Sequence, residues 1–203
     1  MDDSVRDDSV GYYRRMQAAV EELLILNGMF TRAEIDQQVA AMDARTYASG
    51  AKVVARAWAD RNYRAKLLTD PRAACAELGF NLGPTHLIVV ENTPALHNVV
   101  VCTLCSCYPR MLLGVPPAWY KNREYRSRVV REPRKVLAEL GTELPAEVQI
   151  RVHDSTADMR YMVLPMAPVG TTGWSEERLA KLVTRDSMIG VGLAMSPEAK
   201  APT

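Results

Sequence analysis

No stretch of the sequence approaches the ~18 uninterrupted apolar residues a membrane-spanning helix requires, so none is expected. Charge of one sign is missing too. Lys and Arg total 25 against 24 Asp and Glu, a net of +1, which gives no general case for nucleic acid or an anionic membrane as partner. The opening residues, Met1-Asp2-Asp3-Ser4, lack the basic and apolar regions of a secretory signal, and a cytoplasmic protein is expected. There is no internal repeat and no low-complexity segment. A 48% hydrophobic and 24% charged composition is ordinary for a globular chain and excludes wholesale disorder. The 203 residues suffice for one sizeable domain, or a domain with a helical arm.

The pattern along the chain predicts an α+β protein with a helical N-terminal region, residues 1–80, and a C-terminal α+β metal-binding domain with short strands, residues 81–203. Met16, Val20, Leu23, Leu24 and Met29 recur at helical spacing between Tyr12 and Met29. Thr31 with Glu34 is a capping-box pattern for a helix reaching about Met42. Gly50–Leu68 reads as one helix with Val53, Val54, Trp58 and Leu67 in the core, and Pro71 opens a short helix ending at Gly79. Leu87–Val90 and Val99–Val101 are β-branched runs, joined by a turn at Asn92-Thr93-Pro94. Helices are expected at Asn122–Val129 and Pro133–Leu140. The alternation Val148, Ile150, Val152 predicts a strand that forms a hairpin with Tyr161–Leu164, turning through Asp154–Asp158. Ser175 caps a last helix from Glu176 to about Val183, and the final ten residues read as a loose tail.

Cysteine carries the chemical signal. Of four, Cys102, Cys105 and Cys107 lie within six residues, and Cys75 stands far upstream. A disulfide scaffold would spread its cysteines to staple distant segments, whereas this clustering points to metal or redox chemistry. Thiolates are soft donors for transition metals. Cys102 and Cys105 have the spacing of half a zinc knuckle, but a structural zinc would need a fourth ligand, for which only Cys75 and His97 offer the right type. Alternatively, Cys105 and Cys107 can grip one ion through both sulfurs while the intervening backbone nitrogens complete a planar N2S2 set. Cys102 then supplies an axial sulfur and leaves one position open, an arrangement suited to trivalent cobalt or iron. Unmetallated redox thiols are the third reading.

Val101-Cys102-Thr103-Leu104-Cys105-Ser106-Cys107-Tyr108 closely resembles the metal-binding signature of nitrile hydratase α subunits. The resemblance continues through Pro116-Pro117-Ala118-Trp119-Tyr120-Lys121, Tyr125–Arg134, Gly173–Glu177, Leu182–Val191 and, upstream, Gly50–Val54. The related thiocyanate hydrolase γ subunit shares the motif. The resemblance implies a metal held by the sulfurs of Cys102, Cys105 and Cys107 and the backbone amides of Ser106 and Cys107. It implies Cys105 as sulfinate, Cys107 as sulfenate, and a catalytic role for both. Thr103 with Tyr108 resembles the cobalt type, so Co3+ is expected, with iron the lesser alternative. The implied reaction hydrates a small-molecule nitrile to its amide. The implied partners are a β subunit, whose arginines bind the oxidised sulfurs, and an activator or metallochaperone. An isolated chain is expected to self-associate.

One departure bears on substrate. Where the resembled family has Trp-Pro after the motif, this chain has Arg110-Met111. A cationic stem in place of an apolar wall suggests a larger, more polar or anionic substrate, such as a nucleoside nitrile like toyocamycin, or thiocyanate. Arg110 and Tyr108 are therefore candidate pocket residues. Residues 110–135 hold eight Lys or Arg against two Glu, which reads first as interface or surface ion pairs. His86, His97 and His153 show no ligand spacing. His97 is expected to pack, Asp154 and Arg160 to pair across a hairpin, Cys75 to be a small buried hydrophobe, and Trp58, Trp119 and Trp174 to anchor packing.

Overall fold

Parallel strands cannot be joined by a tight turn. They need a crossover of a dozen residues or more, and that requirement organises this chain. The computed structural model describes residues 4–197, which divide into two compact units between Ala44 and Arg45.

The first unit holds α1 (Ser4–Leu26) and α2 (Arg32–Asp43). Thr31 and Glu34 form the expected capping box: the Thr31 N–H donates to the Glu34 carboxylate at 2.7 Å and the Thr31 hydroxyl accepts from Glu34 N. The Thr31 N–H foremost, then the Thr31 hydroxyl, which also donates to the carboxylate, hold the Glu34 carboxyl below the usual range. An ion pair between Arg32 and Glu21 ties the two helices. Met16, Val20, Leu23 and Met29 are exposed, and no residue of α2 is buried.

The second unit opens with α3 (Ala48–Ala59), α4 (Arg61–Thr69) and α5 (Pro71–Glu77). The single helix expected over Gly50–Leu68 is in fact two. Asp60 takes an extended conformation, φ −128° and ψ 113°, and its carboxylate accepts from the amides of Asn62 and Tyr63. A short acidic side chain that competes for backbone donors ends one helix and caps the next. Val53, Val54 and Leu67 are fully buried. Trp58 packs against the core and donates Nε1–H to the Pro165 carbonyl at 2.8 Å. Pro71 sits in the first turn of α5 as expected, with Asp70 capping Ala73 N. Cys75 is buried and its thiol is pushed up to about 12 by burial, which makes it an inert apolar filler.

Strands β1 (His86–Glu91) and β2 (Leu96–Val101) follow. The chain then passes through α6 (Arg110–Leu113), α7 (Ala118–Lys121), α8 (Arg123–Arg131) and α9 (Pro133–Glu139) before β3 (Gln149–Asp154) and β4 (Met159–Leu164). β2 pairs in parallel with β3, from Leu96 opposite Gln149 to Val101 opposite Asp154. β1 pairs in parallel with β4, from His86 opposite Met159 to Glu91 opposite Leu164. The expected hairpin between Val148–Val152 and Tyr161–Leu164 is thus absent. Alternation identified the strands but carries no information about partners. After β3 the Ser155 N–H continues the β2 ladder by donating to Val101 O at 2.7 Å, and the chain then leaves for the other sheet.

Ser175 caps α10 as expected, but this helix stops at Ala180, not Val183. A second capping box, Thr184 with Ser187, starts α11 (Arg185–Ile189). Gly190 then has φ +86°, and a Cβ there would lie 1.9 Å from Asn98 O, so only glycine lets this turn rest on β2. Of the tail, Met195 N donates to Leu182 O at 2.8 Å, and residues 198–203 lie outside the described residues. Among the described residues no helix is long and apolar enough to cross a membrane.

Candidate metal centre

β2 delivers the cysteine loop, and its backbone is fixed before the loop begins. His97 and Asn98 are buried on it. His97 Nε2–H donates to Gly190 O at 2.7 Å, and its Nδ1 takes a bond from Asn92 Nδ2 at 3.2 Å. Asn98 binds Asn92 Oδ1 and Glu91 O, and its Oδ1 accepts from His153 Nε2 at 2.9 Å. Burial holds both histidines below the ordinary imidazole value, so they are neutral packing groups. His97 packs, as expected, and does not reach the loop.

The loop leaves β2 at Val101. Cys102 is 1% exposed at the strand exit. Thr103 is then held twice by one side chain: its N–H and its hydroxyl donate to the two Asp154 carboxylate oxygens at 2.9 and 2.6 Å. Asp154 ends β3 directly opposite Val101, so the sheet register aims it. The expected Asp154–Arg160 pair is not formed. With no hairpin, the two residues serve different strands, and Arg160 donates to the carbonyls of Thr156 and Ala157. Arg126 Nη1 donates to Thr103 O at 3.1 Å, Tyr120 OH to Cys107 O at 2.8 Å, and Tyr125 OH to Val100 O at 2.9 Å. The rings of Tyr108 and Tyr120 meet edge to face at 5.2 Å, and those of Trp119 and Tyr125 at 4.9 Å. Trp119 therefore anchors packing beneath the loop, and Trp174 lies under the Arg178 guanidinium at 3.8 Å.

This cradle turns three thiols toward one point. Their sulfurs lie within 4.8 Å of one another, Cys102 and Cys105 at 3.3 Å and Cys105 and Cys107 at 3.1 Å. These separations exceed the ~2.05 Å of a disulfide, and all three are free thiols. Hydrogen bonds from Cys107 and then Cys102, with help from the amides of Cys107 and Ser106, bring the Cys105 thiol down to about 7. Burial foremost, then the thiol contacts, pushes Cys107 up to about 12, against a pull from Arg160. Three convergent soft donors, with backbone nitrogens between two of them, fit a transition metal. Cys75 lies buried in α5, outside the cluster, and His97 is committed to Gly190 and Asn92. Neither supplies the fourth ligand that a structural zinc would need.

A cavity of about 400 Å³ opens beside the thiols. Cys105, Ser106 and Cys107 line it together with Leu82, Gly83, Leu87, Arg110 and Arg160. Arg110 is exposed and Tyr108, also on the wall, is only 3% exposed. The Tyr108 hydroxyl is buried without a hydrogen-bond partner among the described residues, and burial raises its proton affinity. Sequence reasoning paired Arg160 with Asp154 and so missed its place in the cavity lining, along with the loop-holding roles of Asp154, Tyr120 and Arg126, because those roles rest on contacts between distant segments.

Residues 12–192 match the family described as nitrile hydratase, alpha chain. The chain belongs to the nitrile hydratase α-chain family. It is 50% identical over 189 residues to the high-molecular weight cobalt-containing nitrile hydratase subunit alpha of Rhodococcus rhodochrous, covering 92% of this chain and 93% of the relative. It is 44% identical over 200 residues to the thiocyanate hydrolase subunit gamma of Thiobacillus thioparus, covering 92% and 82%. Among solved structures, an Fe-type nitrile hydratase double mutant from Comamonas testosteroni Ni1 matches with a TM-score of 0.84 and 42% identity, over 100% of this chain and 97% of that one. The nitrile hydratase family thus accounts for the α+β fold as well as for the cysteine motif.

Proposed function

We propose that this chain is the metal-binding α subunit of a cobalt nitrile hydratase, a hydro-lyase active with a β subunit. The observation that carries the reading is the convergence of Cys102, Cys105 and Cys107, the last two lining a cavity of roughly 400 Å³, in a chain of the nitrile hydratase family. The three sulfurs and the amide nitrogens of Ser106 and Cys107 would hold the ion. Cobalt is favoured over iron by Thr103 and Tyr108 and by the cobalt-containing relative at 50% identity. When bound, a trivalent metal acts as a Lewis acid that makes the nitrile carbon open to attack. Cys105 as sulfinate and Cys107 as sulfenate carry the catalytic oxygens, with Cys107 supplying the nucleophile or taking a proton from the attacking water. Asp154, Tyr120 and Arg126 keep the loop in the geometry this needs. Cys105 and, on the cavity wall, Arg110 stand open to solvent on this chain alone. A β subunit supplying donors to the oxidised sulfurs completes the site, an activator loads the metal, and a chain made without them self-associates. The assembled enzyme works in the cytoplasm.

Arg110 on the cavity wall adapts the pocket to a bulky or polar nitrile, such as a nucleoside nitrile of the toyocamycin kind. The same residue supports the second reading, thiocyanate hydrolysis. The assembled cobalt enzyme separates the two when offered a nitrile panel and thiocyanate in parallel. Amide from nitriles with no carbonyl sulfide from thiocyanate is expected. Carbonyl sulfide as the main product would replace the first reading with the second, and absence of both products would remove the enzymatic reading.

A further inference from the structure

α8 presents two faces of opposite character. Toward its own chain it buries Tyr125 and Val129 and directs Arg128 into a ring of carboxylates, with Glu139 at 2.7 Å and Glu124 at 3.2 Å, and Glu132 also paired. Toward solvent, Arg123, Arg126, Ser127, Val130 and Arg131 fall at i, i+3, i+4, i+7 and i+8, which is one stripe of a helix. Together with Thr103 and Leu104 of the cysteine loop they line a groove of about 610 Å³.

None of the three arginines on this stripe has a carboxylate partner among the described residues. Arg126 is engaged with the Thr103 carbonyl, and Arg131 with the Ser127 carbonyl. Arg126 also keeps its Nε buried without a partner. Acids are not scarce nearby, since Arg128 has gathered three: Glu124 of α8, Glu132 at the junction and Glu139 of α9. Two apolar groups interrupt the charge: Leu104, 88% exposed, and Val130, 50% exposed. Exposed apolar side chains among guanidiniums suit a protein segment, which can offer carboxylates and apolar side chains together. A nucleic acid would gain little from Leu104, and a net charge of +1 provides no general field to attract one.

We propose that this groove docks an acidic segment of the β subunit, carboxylates meeting Arg123 and Arg131 and an apolar side chain covering Leu104 and Val130. The inference rests on the α-subunit reading above. It adds a mechanical link: Arg126 joins the docking face to Thr103, so the segment that fills the groove also braces the metal loop from outside.

The test measures association of the full chain with its β subunit, at low and at high salt. Three forms are compared: wild type, the double variant Arg123→Glu/Arg131→Glu, and a control with the same charge change elsewhere, Arg61→Glu/Lys181→Glu. Wild type should bind more weakly as salt rises. The groove variant should show a dissociation constant at least about tenfold higher at low salt, with a flattened salt dependence, while the control binds like wild type. If the glutamate variant unfolds, Arg123→Gln/Arg131→Gln should still weaken binding, by a smaller factor. Equal binding by wild type and a folded groove variant would overturn the inference and leave the α-subunit reading standing. No binding of wild type to β would overturn both. A single-stranded oligonucleotide retained by wild type and lost by the groove variant, with β binding unaltered, would reassign the face and overturn the docking proposal.

Discussion

The two ends of the cysteine loop differ in what holds them. The base is built into the sheet: Cys102 is buried, Thr103 is pinned by Asp154, and Val100 O takes the Tyr125 hydroxyl. The rim is open: Leu104 and Cys105 are exposed, and Ser106 and Cys107 are half-buried. Folding of this chain therefore fixes the base of the loop and leaves the rim exposed, where the proposed function needs a metal and a partner. An exposed rim is also accessible to the oxidation that the proposed chemistry requires.

The sharpest way to break this contrast is to damage the base from behind. Gly190→Ala forces a Cβ at positive φ to within 1.9 Å of Asn98 O. Strain and overpacking together should cost about 3 kcal/mol or more, seen as a large drop in melting temperature. An unchanged melting temperature would show that the α11 turn does not brace β2. Asp154→Ala comes next. It removes both bonds to Thr103, so the metal retained per chain should fall several-fold while the melting temperature shifts little, with Asp154→Asn intermediate. Full metal content in Asp154→Ala would mean that the loop is set without its base.

At the rim, Arg110→Trp should leave folding intact and move preference toward small apolar nitriles by about tenfold in relative kcat/KM, the scale of a pocket-wall change. Identical relative rates across a nitrile panel would place Arg110 outside the pocket. The smallest effect is one of pH. His97 and His153 have values lowered by burial in the folded chain, so the unfolded chain takes up protons first as the pH falls. Stability is full above the ordinary imidazole value near 6.5 and is lost as the pH falls from there toward the lowered folded values. Melting temperature should decline as the pH falls below about 6.5, less steeply in His153→Gln. A decline equally steep in His153→Gln would remove this network from the account.

Local signals were legible in the sequence. Thr31 with Glu34, Pro71 and Ser175 mark helix starts, and all three do so in the structure. The cysteine triplet was legible because its members are neighbours in sequence. Strand partners were not. The Asp154–Asp158 turn looked like a hairpin, and only the α6–α9 crossover shows that β3 belongs beside β2. Asp154 illustrates the cost of that error. Read across a hairpin it faced Arg160, whereas the true register carries it to Thr103. Asp60 was missed for a different reason: helical periodicity runs on either side of it, and one side chain turning to its own backbone divides the run.

The most direct test is peptide mass spectrometry of the Cys102–Cys107 segment, on protein made with cobalt and its partner subunits. The account predicts two added oxygens on Cys105, one on Cys107 and none on Cys102. Three unmodified thiols in a fully metallated protein would contradict it and return the cluster to a structural role.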